Sequence, residues 1–366
     1  MEAGVTLSAP IFVTQSFSPP AEEYQRYVQQ ILKSHQFTNN GPLLRELEEK
    51  LRNFFGTEYL QFVTNGTLAL QLALHGLGIT EGEVITTPFT YVATTSAILW
   101  ERCTPVYADI DPRSFCIDPE RVESAITPKT RAIMAVHVFG IPCDTEALED
   151  IGKRHGIPVI YDAAHAVGSE YLGRSLCAWG DISTCSFHAT KLFHTIEGGC
   201  VICRDPEIHR KIDLAKRFGH HGDTHYTLGT NAKGSEFQAA MGLCNLPWLP
   251  RIIEDRRRVS NYYTAAFGDR IERPQFPKGT NYNYAYYPAV FRDEDDLLNV
   301  MSALKEENIH LRRYFYPSLN TLPYLPAYQK CPISENVASR IACLPLYYGI
   351  ETAVLDKIIE IVKGVL

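Results

Sequence analysis

Lys191 lies four residues past the apolar-rich run Ile182–Phe187 and just ahead of Glu197-Gly-Gly199, where glycines let the chain turn tightly. Lysine is rarely buried without a reason. At the end of a buried strand, with the hydroxyls of Ser186 and Thr190 nearby, its amine loses solvent, its pKa falls, and it becomes a nucleophile toward carbonyl carbon. Taken alone, such a lysine is more often an exposed loop residue. Upstream, Ile157-Pro-Val-Ile-Tyr-Asp162-Ala-Ala-His165 ends an apolar run on a carboxylate. Asp162 there either caps a helix or serves as the anionic partner of a cation, and His165 could share its pocket. Thr64-Asn-Gly66-Thr67 joins an apolar run to a helical one, so its N–H groups and the helix dipole form a seat for an anion. By itself it reads as a plain turn.

Together the three describe one site: a phosphate seat, an acid for a protonated ring nitrogen and a nucleophilic lysine. Pyridoxal 5′-phosphate requires that trio, because its protonated ring is an electron sink and the acid keeps it protonated.

The elements that must position these residues alternate. Tyr59–Val63, Glu83–Thr86, Pro105–Ala108, Ala132–Val136 and Val159–Tyr161 read as strands; Gly66–His75, Val92–Trp100 and Thr145–His155 read as helices. Ile182–Phe187 and Gly199–Cys203 follow as neighbouring strands. Ahead of them, helices are expected around Glu22 to Lys33 and over Leu43–Leu51, whose apolar residues at 43, 44, 47 and 51 keep a helical period. Strands alternating with helices imply an α/β fold with a mostly parallel sheet covered on both faces. After Trp248 the rhythm changes to a charged helix (Arg251 to Phe267), a strand over Tyr284–Phe291 and two further helices. The expected division is an N-terminal arm and helix (1–35) packing on the smaller domain, a large domain (36–248) and a smaller C-terminal α+β domain (249–366).

The chain of 366 residues is 45% hydrophobic and 21% charged, enough apolar content for a sizeable core. A net charge of −7 argues against nucleic-acid or anionic-membrane partners, which call for a basic surface. The longest uncharged apolar stretch, Val84 to Trp100, holds six Thr or Ser and Pro88, and no targeting segment is expected. Ten cysteines without a framework spacing read as reduced thiols of a cytoplasmic protein. Cys200-Val-Ile-Cys203 has no second pair to complete a zinc site, and no metal is expected there or at His220-His-Gly-Asp-Thr-His225.

In this order, the motifs resemble the DegT/DnrJ/StrS family of nucleotide-sugar aminotransferases. They are Phe37-Thr-Asn-Asn-Gly-Pro42, Asn65-Gly-Thr-Leu-Ala-Leu70, Thr87-Pro-Phe-Thr-Tyr-Val-Ala-Thr94, Asp162-Ala-Ala-His165, Ser186-Phe-His-Ala-Thr-Lys191, Glu197-Gly-Gly199, Gly229-Thr-Asn231 and Cys343-Leu-Pro-Leu-Tyr347. The resemblance spans nearly the whole chain and implies the fold-type I, aspartate aminotransferase-like architecture. It implies that Lys191 forms a Schiff base with pyridoxal phosphate and shuttles the proton, that Asp162 pairs with the ring nitrogen, and that Tyr91 stacks on the ring. His165 would sit near the ring hydroxyl, and Gly66, Thr67 and Ser186 would hold the phosphate. Asn231 would reach the phosphate of the neighbouring subunit in a homodimer with shared sites. The run Arg312-Arg-Tyr-Phe-Tyr-Pro317 would face the sugar nucleotide, with Asn40, His188, Arg313 and Tyr314 as substrate contacts.

The implied reaction moves an amino group from glutamate to a nucleotide-linked keto sugar. The sequence looks closest to members that aminate dTDP-4-keto-6-deoxy-D-glucose, in deoxyamino-sugar and lipopolysaccharide O-antigen biosynthesis, with a C3-keto isomer as the alternative. A dehydratase branch of the fold typically lacks the lysine, and a non-catalytic regulatory homologue fits poorly with an intact Lys191–Asp162 pair. One departure is Gly234, where close relatives usually carry a bulkier residue; it is expected to loosen the loop near the shared site.

Overall fold

The computed structural model describes residues 9–325 and 327–366, so the first eight residues of the expected arm lie outside the described residues. Seven strands form the central sheet: β1 (Tyr59–Val63), β2 (Glu83–Thr86), β3 (Thr104–Tyr107), β4 (Thr130–Val136), β5 (Val159–Asp162), β6 (Ile182–Ser186) and β7 (Gly199–Cys203). Their order across the sheet is β1-β7-β6-β5-β4-β2-β3. Neighbours from β6 to β3 are parallel, and β7 is antiparallel to both β6 and β1. β7 is reversed because it follows β6 through a loop with no crossover helix, and only antiparallel strands can be joined that directly.

Both faces are covered, so the strands alternate between two cores. Val84, Met134, Ile160 and Val201 pack under the helices Gly66–Gly76 and Pro206–Ala215. Ile85, Ile133 and Tyr161 face the opposite core. Chain order reverses between β2, which leads outward to β3, and β4, which leads inward to β5 and β6. Their carboxyl ends therefore open a crevice at the reversal, where doubly wound sheets hold ligands.

Beyond the sheet, helix Leu249–Phe267 leads into a second core around β8 (Tyr287–Val290) and β9 (Ile341–Leu344), an antiparallel pair backed by helices Glu294–Glu306 and Thr352–Val365. The expected strand over Tyr284–Phe291 starts only at Tyr287. Tyr284 adopts φ 53°, Ala285 N–H donates to Asn283 Oδ1 (2.9 Å), and Arg256 donates to the Ala285 carbonyl (2.9 Å), which together hold a turn. Three helices rather than two follow. The additional one, Pro332–Arg340, takes its cap from a distance: Asp109 accepts from the N–H groups of Ile333 and Ser334 at 2.9 Å each. In the arm, Ile11–Phe12 pairs with Ile309–His310, whereas helix Ala21–Ser34 buries Ile31 among Leu43, Leu47 and Leu243 beside the central sheet. Among the described residues no helix is long and apolar enough to cross a membrane.

Candidate active site

A cleft of about 280 Å³ opens at the crevice. β1 ends at Val63, and Asn65 starts the next helix by accepting from the Leu68 N–H (2.9 Å). Its side chain satisfies the third N–H of the first turn, leaving those of Gly66 and Thr67 at the cleft. A Cβ on Gly66 would lie 2.8 Å from Cβ of Ser186, so glycine is what lets this turn approach the Ser186 hydroxyl at the end of β6.

Asp162 closes β5 and is almost wholly buried, at 6% exposure. Its Oδ2 accepts from the Thr94 hydroxyl (2.9 Å) and its Oδ1 from the Ala164 N–H (3.0 Å). Burial lifts its pKa above the usual carboxylate value, opposed by these two hydrogen bonds and by the Lys191 charge. A carboxylate stays ionised in such a place only beside a cation, which is the chemical demand this site makes of its ligand.

Lys191 stands in the loop joining β6 to β7, and this loop is pinned. Phe187 N–H donates to Gly198 O (2.8 Å), Thr195 N–H to Phe187 O (2.9 Å) and Lys191 N–H to His188 O (2.9 Å), while Phe187 and Phe193 are buried. His194 takes the Ile196 N–H on Nδ1 (3.2 Å) and donates from Nε2 to Phe17 O (2.7 Å), tying the loop to the N-terminal arm. Lys191 lines the cleft and is partly buried. Burial lowers its pKa to about 8, with Asp162 pulling upward and Arg312 downward.

His165 faces the same cleft. Its ring stacks on Phe315 and Phe139 at interplanar angles of 4° and 9°. Phe139 N–H donates to Nδ1 (3.2 Å), so in the neutral ring the proton sits on Nε2. Burial, then the nearby Lys191 charge, push its pKa well below the ordinary histidine value.

Gly66, Thr67, Tyr91, Asp162, His165, Ser186, Lys191, His188 and Tyr314 thus meet in one cleft. Tyr91 is about half exposed at its wall. Asn231 lies on the surface away from this chain's cleft, its Oδ1 accepting from Lys233 (2.8 Å). Two expected substrate contacts are not in the cleft. Asn40 is exposed in a left-handed turn (φ 58°), its carbonyl taken by Arg45 (2.6 Å). Arg313 points the other way, paired with Glu294 (2.6 Å) and the Ser339 carbonyl (2.6 Å). Arg312 is bridged to Cys343 of β9. Arg312, Tyr314 and Phe315 reach the cleft, whereas Arg313 is held away from it by Glu294 and the Ser339 carbonyl.

Gly234 also differs from expectation. A Cβ there would lie 2.5 Å from two atoms of the buried Phe62 ring, so glycine allows close packing rather than loosening the loop. Sequence reasoning gave no role to Thr94 or Tyr286, and within the run Arg312–Pro317 it singled out Arg313 rather than Arg312 or Phe315. For Thr94 the sequence carries no signal, because its partner Asp162 lies 68 residues away at the end of β5.

A buried carboxylate beside a lysine amine of lowered pKa, with an anion seat at the carboxyl edge of a doubly wound sheet, defines an α/β enzyme for amine–carbonyl chemistry. The chain belongs to the DegT/DnrJ/EryC1/StrS aminotransferase family, whose model matches residues 20–363. It is 40% identical to a dTDP-4-amino-4,6-dideoxy-D-glucose transaminase of Shigella dysenteriae, over 98% of this chain and 100% of that one. It is 37% identical to an Escherichia coli transaminase of the same name, over 96% and 98%. Among solved structures, DesI in the presence of its TDP-sugar product superposes with a TM-score of 0.93 at 33% identity, covering 98% of this chain and 93% of that one.

Proposed function

We propose that the protein binds pyridoxal 5′-phosphate in this cleft and transfers an amino group from glutamate to dTDP-4-keto-6-deoxy-D-glucose, giving dTDP-4-amino-4,6-dideoxy-D-glucose. The observation that carries the reading is the convergence of Lys191, Asp162 and the Gly66–Ser186 seat in one cleft. The substrate rests on the names of the relatives at 40% and 37% identity.

The residues present suit the cofactor. The free N–H groups of Gly66 and Thr67, with the hydroxyls of Thr67 and Ser186, would hold a phosphate. Asp162, buried and wanting a cation, would hold a protonated ring nitrogen, and Tyr91 would cover a ring face. When bound, the cofactor supplies a carbonyl for lysine and an electron sink for the carbon that loses its proton.

The chain's own residues do the rest. Thr94 and the Ala164 N–H orient Asp162 and favour its charged form. The pinned loop holds the Lys191 amine at one place in the cleft, where its lowered pKa lets it take up and return a proton near neutral pH. His165 offers a fixed Nε2–H donor and stays neutral, adding no second positive charge beside Lys191. Phe139 and Phe315 keep water from one side of its ring.

The cleft is completed by a second copy in this reading. Phe218, Tyr226 and Leu228 are 51%, 62% and 79% exposed on the segment leading to Asn231, an apolar display suited to burial in a homodimer. A cytoplasmic location is in keeping with ten free cysteines and the nucleotide-linked substrate. The test is product analysis with pyridoxal phosphate, glutamate and dTDP-4-keto-6-deoxy-D-glucose. A dTDP-4-amino product supports the reading; amination only of a 3-keto isomer, or turnover of amino acids alone, overturns the substrate.

A further inference from the structure

β1 is an edge strand, paired with β7 on one side only. On its open side the main chain of Phe62 is held by two charged side chains. Its N–H donates to Glu48 Oε1 (2.8 Å), and its carbonyl accepts from Lys216 Nζ (3.3 Å). Glu48 lies on helix Pro42–Phe55, and Lys216 caps the C-terminal end of helix Pro206–Ala215. The two are 3.6 Å apart and buried, at 8% and 3% exposure. Two residues past Phe62, the Thr64 N–H donates to Ala232 O (2.9 Å), and the Ala232 N–H donates to Lys216 O (3.1 Å). Lys216 therefore holds this junction twice, by its side chain at Phe62 and by its main chain at Ala232.

Two pieces leave the junction. Along β1 the chain passes straight into Asn65-Gly66-Thr67, the anion seat of the cleft. From Lys216, residues 217–231 run out and back, with Arg217 bridged to Asn231 and the Phe218 N–H donating to Thr230 O (3.1 Å). The seat tolerates little displacement, since a Cβ on Gly66 would lie 2.8 Å from Cβ of Ser186. A buried ion pair adds little net stability, because desolvating two charges offsets their attraction; its best-attested use is fixing register. At an edge strand, where half of the ladder is missing, register is what has to be fixed.

We propose that the Glu48–Lys216 pair positions the phosphate seat. It holds in one register the Gly66–Thr67 turn of this chain and the base of the 217–231 hairpin, which carries Asn231 toward a second copy. Neither residue touches the ligand; both act through the Phe62 main chain. This rests on the reading of the seat as a phosphate site and of the chain as a homodimer that shares its sites.

The test uses cofactor-free protein and two ligands without a carbonyl, 4-deoxypyridoxine 5′-phosphate and 4-deoxypyridoxine, titrated by calorimetry. Neither can bond covalently to Lys191, so the ratio of their affinities reads the seat alone. Lys216→Met leaves Glu48 buried and unpaired and lowers stability. The deciding variant is therefore Glu48→Gln with Lys216→Met, which removes both charges and nearly keeps their volumes. It should fold. Because nothing then holds the Phe62 carbonyl, its preference for the phosphorylated ligand should fall by roughly 10- to 100-fold, the worth of one charge-assisted hydrogen bond. Affinity for 4-deoxypyridoxine and the rate of Lys191 acylation should stay within about threefold of wild type. Asn231→Ala should weaken the phosphorylated ligand in wild type and do so by less in the double variant, since both changes act on one junction. An unfolded double variant, a folded one that keeps the wild-type preference, or an equal loss for both ligands overturns the proposal, as does strict additivity with Asn231→Ala. A wild type with no preference for the phosphorylated ligand would instead overturn the seat reading beneath it.

Discussion

The Lys191 amine should titrate near pH 8 in the cofactor-free protein, and its two charged neighbours should move that midpoint in opposite directions. Burial is the largest influence and lowers the pKa from 10.5 to about 8; Asp162 raises it and Arg312 lowers it. At pH 7.5 an amine of pKa about 8 is unprotonated roughly a quarter of the time, against about one part in a thousand for an ordinary lysine. The nucleophilic fraction is thus larger by roughly two orders of magnitude. Pulse acylation of the cofactor-free protein across pH, with Lys191 quantified by peptide mass spectrometry, reads this directly. Asp162→Asn removes the anion that stabilises the ammonium, so its midpoint should fall below that of wild type. Arg312→Gln removes a repelling cation, so its midpoint should rise. Acylation of wild type with a midpoint near 10.5, or an upward shift in Asp162→Asn, would refute the electrostatic account.

The same linkage has a stability consequence. Between about pH 8 and 10.5 the unfolded chain holds more protons at this site than the folded one, so Lys191's penalty on the fold should shrink as pH rises through that window; Lys191→Met should flatten this part of the profile in urea unfolding. Thr94→Val removes the hydroxyl that donates to buried Asp162 and should cost about 1–3 kcal/mol while weakening cofactor binding, measured by denaturation and titration; undiminished cofactor affinity would contradict the orienting role. Gly234→Ala places a Cβ against Phe62 and should destabilise by about 1–3 kcal/mol, with an unchanged melting curve counting against close packing there. Arg313→Gln should lower stability by about 1 kcal/mol through its Glu294 pair and leave both substrates' KM values alone; a raised KM would restore it to the cleft.

Local periodicity made the central sheet legible. Tyr59–Val63, Glu83–Thr86 and Gly199–Cys203 are strands with the bounds their β-rich runs suggest, because strands of a sheet buried on both faces are short apolar runs set off by turns. Lys191, Asp162 and Ser186 were readable for the same reason, each lying at or just past the end of such a run. What escaped was decided by contacts distant in sequence. Helix Pro332–Arg340 depends on Asp109 for its cap, and the start of β8 depends on Arg256 and Asn283. Thr94 gains its role only because Asp162 lies across the crevice. Gly234 looked loose because a missing side chain reads as freedom until the Phe62 ring is placed against it. Arg312 and Arg313 look alike in sequence, and what separates them is the pairing of Arg313 with Glu294 and the Ser339 carbonyl, contacts distant along the chain.

The central claim is that Lys191 carries pyridoxal phosphate and uses it for amino transfer. The visible spectrum of the protein reconstituted with that cofactor tests it most directly. Wild type should show a Schiff-base band that borohydride fixes onto Lys191, that is missing in Lys191→Ala, and that gives way to the pyridoxamine spectrum when glutamate is added. A band that persists in Lys191→Ala, cofactor fixed to another lysine, or a wild-type spectrum indifferent to glutamate would contradict it.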